Sequence, residues 1–180
     1  MIRALTRDDA PVFRAFRLEG LRNHPEAFGE SAEEFEAQSP DNIAARIPLE
    51  VNSPEGFILG AFDDGRLVGV TCMGRSSRLK SRHHGTLWGM LVADDVRRQG
   101  VGEKLVRELI ARARTIDGLE VISLTVATVN VRAWRLYEKC GFTVFGAEPK
   151  ALRINGADYE QRHMMIDLTE IPLSQDHRAS

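Results

Sequence analysis

The chain has 180 residues, 43% of them hydrophobic and 28% charged, with a formal net charge of −2. It fits one ordinary domain with a sizeable core and excludes the broad basic surface that drives nucleic-acid binding. The first residues lack the apolar run of a signal peptide and no stretch approaches the length of a membrane span, so a cytoplasmic protein without membrane or nucleic-acid partners is expected.

In chain order, residues 2–5 read as a short strand. Thr6 with Asp8 and Asp9 opens a helix reaching about Arg22, with Val12, Phe13, Phe16, Leu18 and Leu21 as its apolar face. Residues 24–29 break it. Ser31 with Glu34 has the form of a capping box, and Ser39-Pro40-Asp41 starts another short helix ending near Pro48. Residues 57–62 and 67–73 form a hairpin around the Asp64-Gly65 turn. Residues 75–84 are a basic connection, and Cys72 and Cys140, the only cysteines, have no metal-ligand spacing and read as reduced thiols. Residues 86–92 form a strand, and the helix after the next turn buries Val101, Leu105, Val106, Leu109, Ile110 and Ala113. Residues 119–126 are a nearly continuous apolar strand, which suits burial on both faces and makes the strand-helix-strand unit a right-handed parallel crossover. Residues 130–140 form a helix with Ala133, Leu136, Tyr137 and Cys140 on one side, ended by Gly141. Residues 142–145 and 159–168 supply two last strands. The fold class is mixed α/β in one domain, 1–168, followed by a polar flexible tail, 169–180.

The turn between the strand at 86–92 and its helix carries chemistry. Arg97-Arg98-Gln99-Gly100-Val101-Gly102 joins mobile positive charge to glycines that let a backbone approach a ligand, at the N-terminal end of a helix whose N–H groups attract anions. An ordinary glycine-containing junction remains the plain alternative. Two familiar phosphate loops are excluded. Gly102 is followed by Glu103 rather than by the Lys-Ser/Thr of a Walker A loop, and Leu105 stands where a dinucleotide fingerprint has its third glycine. A second segment, Asn130 to Phe142, would place an amide and the Tyr137 phenol near the same cleft, although such residues commonly serve only as a cap and a core side chain.

Together, Arg-x-x-Gly-x-Gly at 97–102 and Asn-x-x-Ala-x-x-Leu-Tyr-x-x-x-Gly-Phe at 130–142 closely resemble the GNAT superfamily of acyl-CoA-dependent N-acetyltransferases, most strongly over residues 86–146. The resemblance implies a mixed sheet of about six to seven strands with a splayed parallel pair and helices on both faces. It implies acetyl-CoA as co-substrate and no metal. The backbone of Leu91 and Val92 would pair with the pantetheine arm, and Arg97, Arg98, Gln99, Gly100, Val101 and Gly102 would wrap the pyrophosphate. Asn130 would hydrogen-bond near the arm, and Tyr137 would be the general acid that protonates the departing thiolate. Asp94 stands where many members have proline, a change of loop stiffness rather than of chemistry.

The implied reaction is direct attack of a primary amine on the thioester in a ternary complex. The leading acceptor is a small or amino-acid-like amine. A protein α-amine or lysine is the alternative, and a non-catalytic acyl-CoA sensor is the alternative of another class, against which Asn130 and Tyr137 argue. The strand at 86–92 holds no carboxylate base, which leaves a water chain ending at His83, His84 or Glu30. Glu26, Glu30, Glu33, Glu34 and Glu36 form either a negative rim for a cationic acceptor or the wet face of a helix. Trp88 and Trp134 are expected to pack rather than to line a pocket. A monomer or homodimer is expected.

Overall fold

The computed structural model describes residues 1–50 and 53–170. Its strands are β1 (Ile2–Ala4), β2 (Gly56–Asp63), β3 (Arg66–Arg75), β4 (His84–Val92), β5 (Val121–Ala127), β6 (Thr143–Ile154) and β7 (Ala157–Asp167). Its helices are α1 (Ala10–Asn23), α2 (Ala32–Glu36), α3 (Pro40–Ala45), α4 (Val101–Ala113) and α5 (Val131–Lys139). The strands make one sheet in the order β1-β2-β3-β4-β5-β7-β6.

Local chemistry explains many boundaries. The Ser31 hydroxyl accepts from the Glu34 backbone N–H while the Glu34 carboxylate accepts from that of Ser31, so the expected capping box opens α2. Ser39 caps α3 more simply, its hydroxyl accepting from the Asn42 backbone N–H, with Pro40 at the first helical position. The β2–β3 turn sits on Asp64 and Gly65, both at positive φ, and Gly141 closes α5 at φ +99.

One apolar cluster lies beneath α4 and α5, where Leu105, Leu109, Ile122 and Phe142 are fully enclosed or nearly so. The other lies beneath α1, α2 and α3 and includes Phe13, Leu21, Phe35, Ile43 and Ile58. Each enclosed side chain of this size contributes about 1.5–3 kcal/mol of burial. The sheet is therefore clamped from both faces.

β4 and β5 are the parallel pair, with α4 as the crossover between them. They pair only at His84 with Val121, Gly85 with Ile122 and Thr86 with Ser123. Beyond Thr86 the strands part. On its other edge β4 keeps pairing with β3, but a bulge sets Gly89 and Met90 opposite Thr71 alone. Gly89 adopts φ +66, which a side chain would resist. The bulge turns β4 away from β5, and the sheet opens into a split.

Several expectations need correction. β5 is not enclosed on both faces: Ile122, Leu124 and Val126 are buried, while on the alternate face Val121 and Ser123 are half-buried and Thr125 is exposed. On α1, Val12 is exposed and Arg17 is buried. The last two strands form one long hairpin around Asn155-Gly156, longer than expected because most of β6 is solvent-exposed and shows no alternation. The tail expected at 169–180 lies, from residue 171 on, outside the described residues.

Candidate active site

The split opens into a cleft of about 670 Å³. One wall is β4 through Met90, Leu91 and Val92, continued by Arg97, Arg98, Gly100, Val101 and Gly102. The opposite wall is the segment after β5, with Asn130, Ala133 and Leu136. Of the residues expected to bind the carrier or to catalyse, Gln99 and Tyr137 do not line it; nor do Glu30, His83 and His84, the expected ends of a water chain.

Gly100 starts α4 in the left-handed conformation, φ +78, with open space where a Cβ would stand. The first intrahelical bond runs from Lys104 N–H to Gly100 O, so the N–H groups of Val101, Gly102 and Glu103 have no intrahelical acceptor. A Cβ on Gly102 would lie 3.1 Å from Met90 Cε and 3.2 Å from Leu136 Cδ2, so glycine there allows α4 to sit close against the cleft. These orphan donors, the adjacent cations and the open edge of β4 fit a phosphate-bearing carrier with an amide-containing arm.

The two loop arginines differ. Arg97 Nη1 pairs with Asp94 Oδ1 at 2.7 Å, and Arg97 Nη2 donates to His24 Nε2 at 2.7 Å. Asp94 Oδ1 also lies 3.0 Å from His24 Nε2. Asp94 therefore does more than alter loop stiffness: by pairing with Arg97 it fixes the guanidinium that donates to His24 at the end of α1. Arg98, held at φ +68, makes no ion pair among the described residues and is the loop's available cation.

Asn130 caps α5 by accepting from the Ala133 backbone N–H at 3.2 Å. Tyr137 lies one residue beyond Leu136 and is buried, its ring 5.8 Å from that of Phe142 in an edge-to-face contact. Burial, reinforced by Cys140, pushes its phenol pKa upward, so the group holds its proton at neutral pH.

The acidic run at 26–36 does not form a negative rim. Glu34 is engaged in its cap and Glu36 pairs with Arg22 at 2.7 Å. Glu30 accepts from Arg46 at 2.5 and 3.2 Å and from Gln38 at 3.0 Å. Burial opposes its charge, but Arg46 and Gln38 carry its pKa below the usual carboxylate range, which removes it as a proton acceptor. His83 and His84 stand at the closed, paired end of β4, away from the split. Of the carboxylates lining the cleft, Glu103 pairs with Lys139 and Arg107, whereas Glu26 has no ion pair among the described residues.

Sequence reasoning missed Phe28, Met90 and His24 as cleft residues, because their approach depends on the bulge and on the 3-10 turn Pro25–Ala27 after α1. It also missed Arg17, although Arg17 lies four residues from both Phe13 and Leu21, on the buried stripe of α1.

A split between parallel strands, with orphan helix N–H groups at one lip and a capped helix at the other, defines an acyl-CoA-dependent acyltransferase. The chain belongs to the Acetyltransferase (GNAT) family, whose sequence profile matches residues 18–142. It is 32% identical over 117 residues to the N-alpha-acetyltransferase RimI of Mycobacterium tuberculosis (strain ATCC 25618 / H37Rv), a match spanning 63% of this chain and 69% of that protein. Its fold superposes on the acetyltransferase of GNAT family from Streptococcus pneumoniae with TM-score 0.83 and 24% identity, covering 93% of this chain and 98% of the other. It likewise matches yncA, a putative acetyltransferase from Salmonella typhimurium solved with its cofactor acetyl-CoA, with TM-score 0.81 and 22% identity, covering 100% of this chain and 96% of the other. The protein is an N-acetyltransferase with acetyl-CoA as co-substrate. No helix among the described residues is long and apolar enough to cross a membrane.

Proposed function

We propose that the protein acetylates the primary α-amine of a small, amino-acid-like acceptor. The observation that carries this reading is the roof over the far side of the split. The turn Pro25–Ala27 reaches across to contact β5, and a Cβ on Gly29 would touch Leu152 Cδ2 of the β6–β7 hairpin at 4.0 Å. A roofed acceptor end favours a compact substrate.

In this reading the β4 backbone at Leu91 and Val92 binds the pantetheine amides. The orphan N–H groups of α4, with Arg98, hold the pyrophosphate, while Arg97 fixes the loop to the end of α1 and Gln99 completes the loop from outside the cleft wall. Asn130 orients the second lip. Acetyl-CoA supplies the thioester. The acceptor nitrogen bonds to its carbonyl carbon, the carbon–sulfur bond breaks, and the sulfur leaves with the electron pair. Glu26, the unpaired carboxylate on the wall, takes the proton from the amine directly or through one water. A polypeptide α-amine with a pKa of about 7.7–8.0 loses that proton at pH 7 for roughly 1 kcal/mol and a lysine at about 10.4 needs roughly 4.6; the α-amine of a free amino acid, raised by its own carboxylate, lies between them, and so needs the base. Tyr137 donates to the departing sulfur, whose thiol pKa is about 8.5. Because burial makes the phenol a weaker acid than usual, it assists by hydrogen bonding more than by full early transfer.

The RimI relative favours a second reading, in which the α-amine belongs to a polypeptide N-terminus. Thiol release from acetyl-CoA across free amino acids, short peptides, polyamines and lysine side-chain amines separates the two. Turnover restricted to polyamines or lysine ε-amines would overturn both.

A further inference from the structure

One buried charge, Arg17, takes no part in the proposed transfer. Arg17 is 4% exposed, and its Nε and Nη1 have no hydrogen-bond partner among the described residues. Its Nη2 stands 3.7 Å from Glu30 Oε2, too far for a hydrogen bond. Glu30 is already held by Arg46 and Gln38, so two guanidinium groups share one carboxylate and the cluster carries excess positive charge. The nearby Cys72 thiol cannot balance it, because burial pushes its pKa up to about 12 and keeps it neutral. Desolvation likewise lowers the pKa of Arg17 from its ordinary value. Orphan donors on a buried cation are costly, and an arriving anion would satisfy them.

The position of Arg17 relative to the split selects the anion. Its guanidinium carbon lies 4.3 Å from the centre of the Phe28 ring, and Phe28 lines the cleft. A Cβ on Gly89 would stand 3.7 Å from Arg17 Nη1, at the bulge where the β4 edge leaves β5. Arg17 is thus one side chain behind the cleft wall, beside the place where β4 turns away. We propose that the unpartnered donors of Arg17 bind the carboxylate of the acceptor, making the acceptor a free α-amino acid rather than a polypeptide N-terminus.

Phe28 rotates off the guanidinium as the carboxylate arrives, exchanging a cation–π contact for charge-assisted hydrogen bonds. Pairing that carboxylate also removes its electrostatic hold on the neighbouring ammonium, which eases deprotonation of the nucleophile. Arg17 is accordingly a specificity-determining residue.

This inference rests on the α-amine reading, and one experiment tells their failures apart. Thiol release is measured with the full chain at saturating acetyl-CoA, using free amino acids, the matching carboxamides and short peptides. Wild-type kcat/KM for the best amino acid is expected to exceed that for its carboxamide by about 10–100-fold, the range of a charge-assisted hydrogen bond. In Arg17→Gln the two should come within about threefold of each other through a higher amino-acid KM, with carboxamide turnover and the acetyl-CoA KM unchanged. Arg17→Lys, which keeps the charge, should recover part of the preference. Equal wild-type use of amino acid and carboxamide, or a preference that survives in Arg17→Gln, overturns the inference. If Arg17→Gln does not fold, the wild-type ratio and Arg17→Lys decide. Acetylation of peptides and carboxamides without amino acids overturns the carboxylate site and leaves the α-amine reading standing. Acetylation of side-chain amines alone, or of no amine, overturns both.

Discussion

In the proposed reaction Tyr137 and Glu26 would divide the proton traffic, and they should fail differently when changed. Tyr137→Phe removes the donor to the leaving sulfur but keeps the ring that packs on Phe142, so the fold and the cofactor cleft should survive. Turnover is expected to fall about 10–100-fold, toward the low end of general-acid effects, because burial already weakens the phenol as an acid. Calorimetric titration should return an unchanged acetyl-CoA affinity; unchanged turnover would remove Tyr137 from the acid role. Glu26→Gln should also cost about 10–100-fold, but its deficit must depend on pH. Below the amine pKa the base is needed, and above it the acceptor is already neutral. The ratio of wild-type to variant rate should therefore shrink as pH rises, and a ratio flat from pH 6 to about 9.5 would assign the base elsewhere. Neither role was readable from composition or period. In the sequence Glu26 is one carboxylate of an acidic run; its place on the cleft wall, with Glu30, Glu34 and Glu36 engaged elsewhere, is what singles it out.

At the scale of elements, the proposed phosphate loop is a junction whose two arginines differ in their partners. Arg97 is engaged by Asp94 and His24, and so fixes the loop to the end of α1. Arg98 is free to meet the ligand. Arg98→Gln should raise the acetyl-CoA Kd about tenfold at low salt, with the gap narrowing as ionic strength rises, because a mobile exposed charge is screened. Equal affinities at low salt would assign the pyrophosphate to the backbone N–H groups alone. The sequence showed the glycine turn, the Ser31–Glu34 capping box and the Ser39 cap because each depends on a few neighbouring residues whose backbone preferences are local. It also showed the β2–β3 hairpin through Asp64-Gly65. It did not show the role of Asp94, whose contact with His24 spans seventy positions, nor the bulge at Gly89, which needs the β3 register to be visible. The reach of β6 was hidden for another reason: a strand exposed along most of its length carries no alternating pattern.

For the whole molecule, the sheet is stitched continuously from β1 to β4 and again from β5 to β6, and the two halves share only the three-rung seam at His84–Thr86. α4 and the cluster beneath it bridge the seam on one face, while the turn Pro25–Ala27 reaches β5 from the other side. A ligand lying between β4 and β5 would act as the missing strand, pairing with donors and acceptors that the split leaves open. Binding should therefore do more than fill a pocket: it should couple the halves. Hydrogen exchange of the full chain with and without acetyl-CoA tests this directly. Amides along Leu87–Val92 and in the early turns of α4 and α5 are expected to slow together, while the β1–β3 side, already paired and enclosed, stays unchanged. Protection confined to residues 97–103 would mean that the carrier is held by its phosphates alone. The split would then not be the seat of the pantetheine arm, and the amine would have to meet the thioester elsewhere.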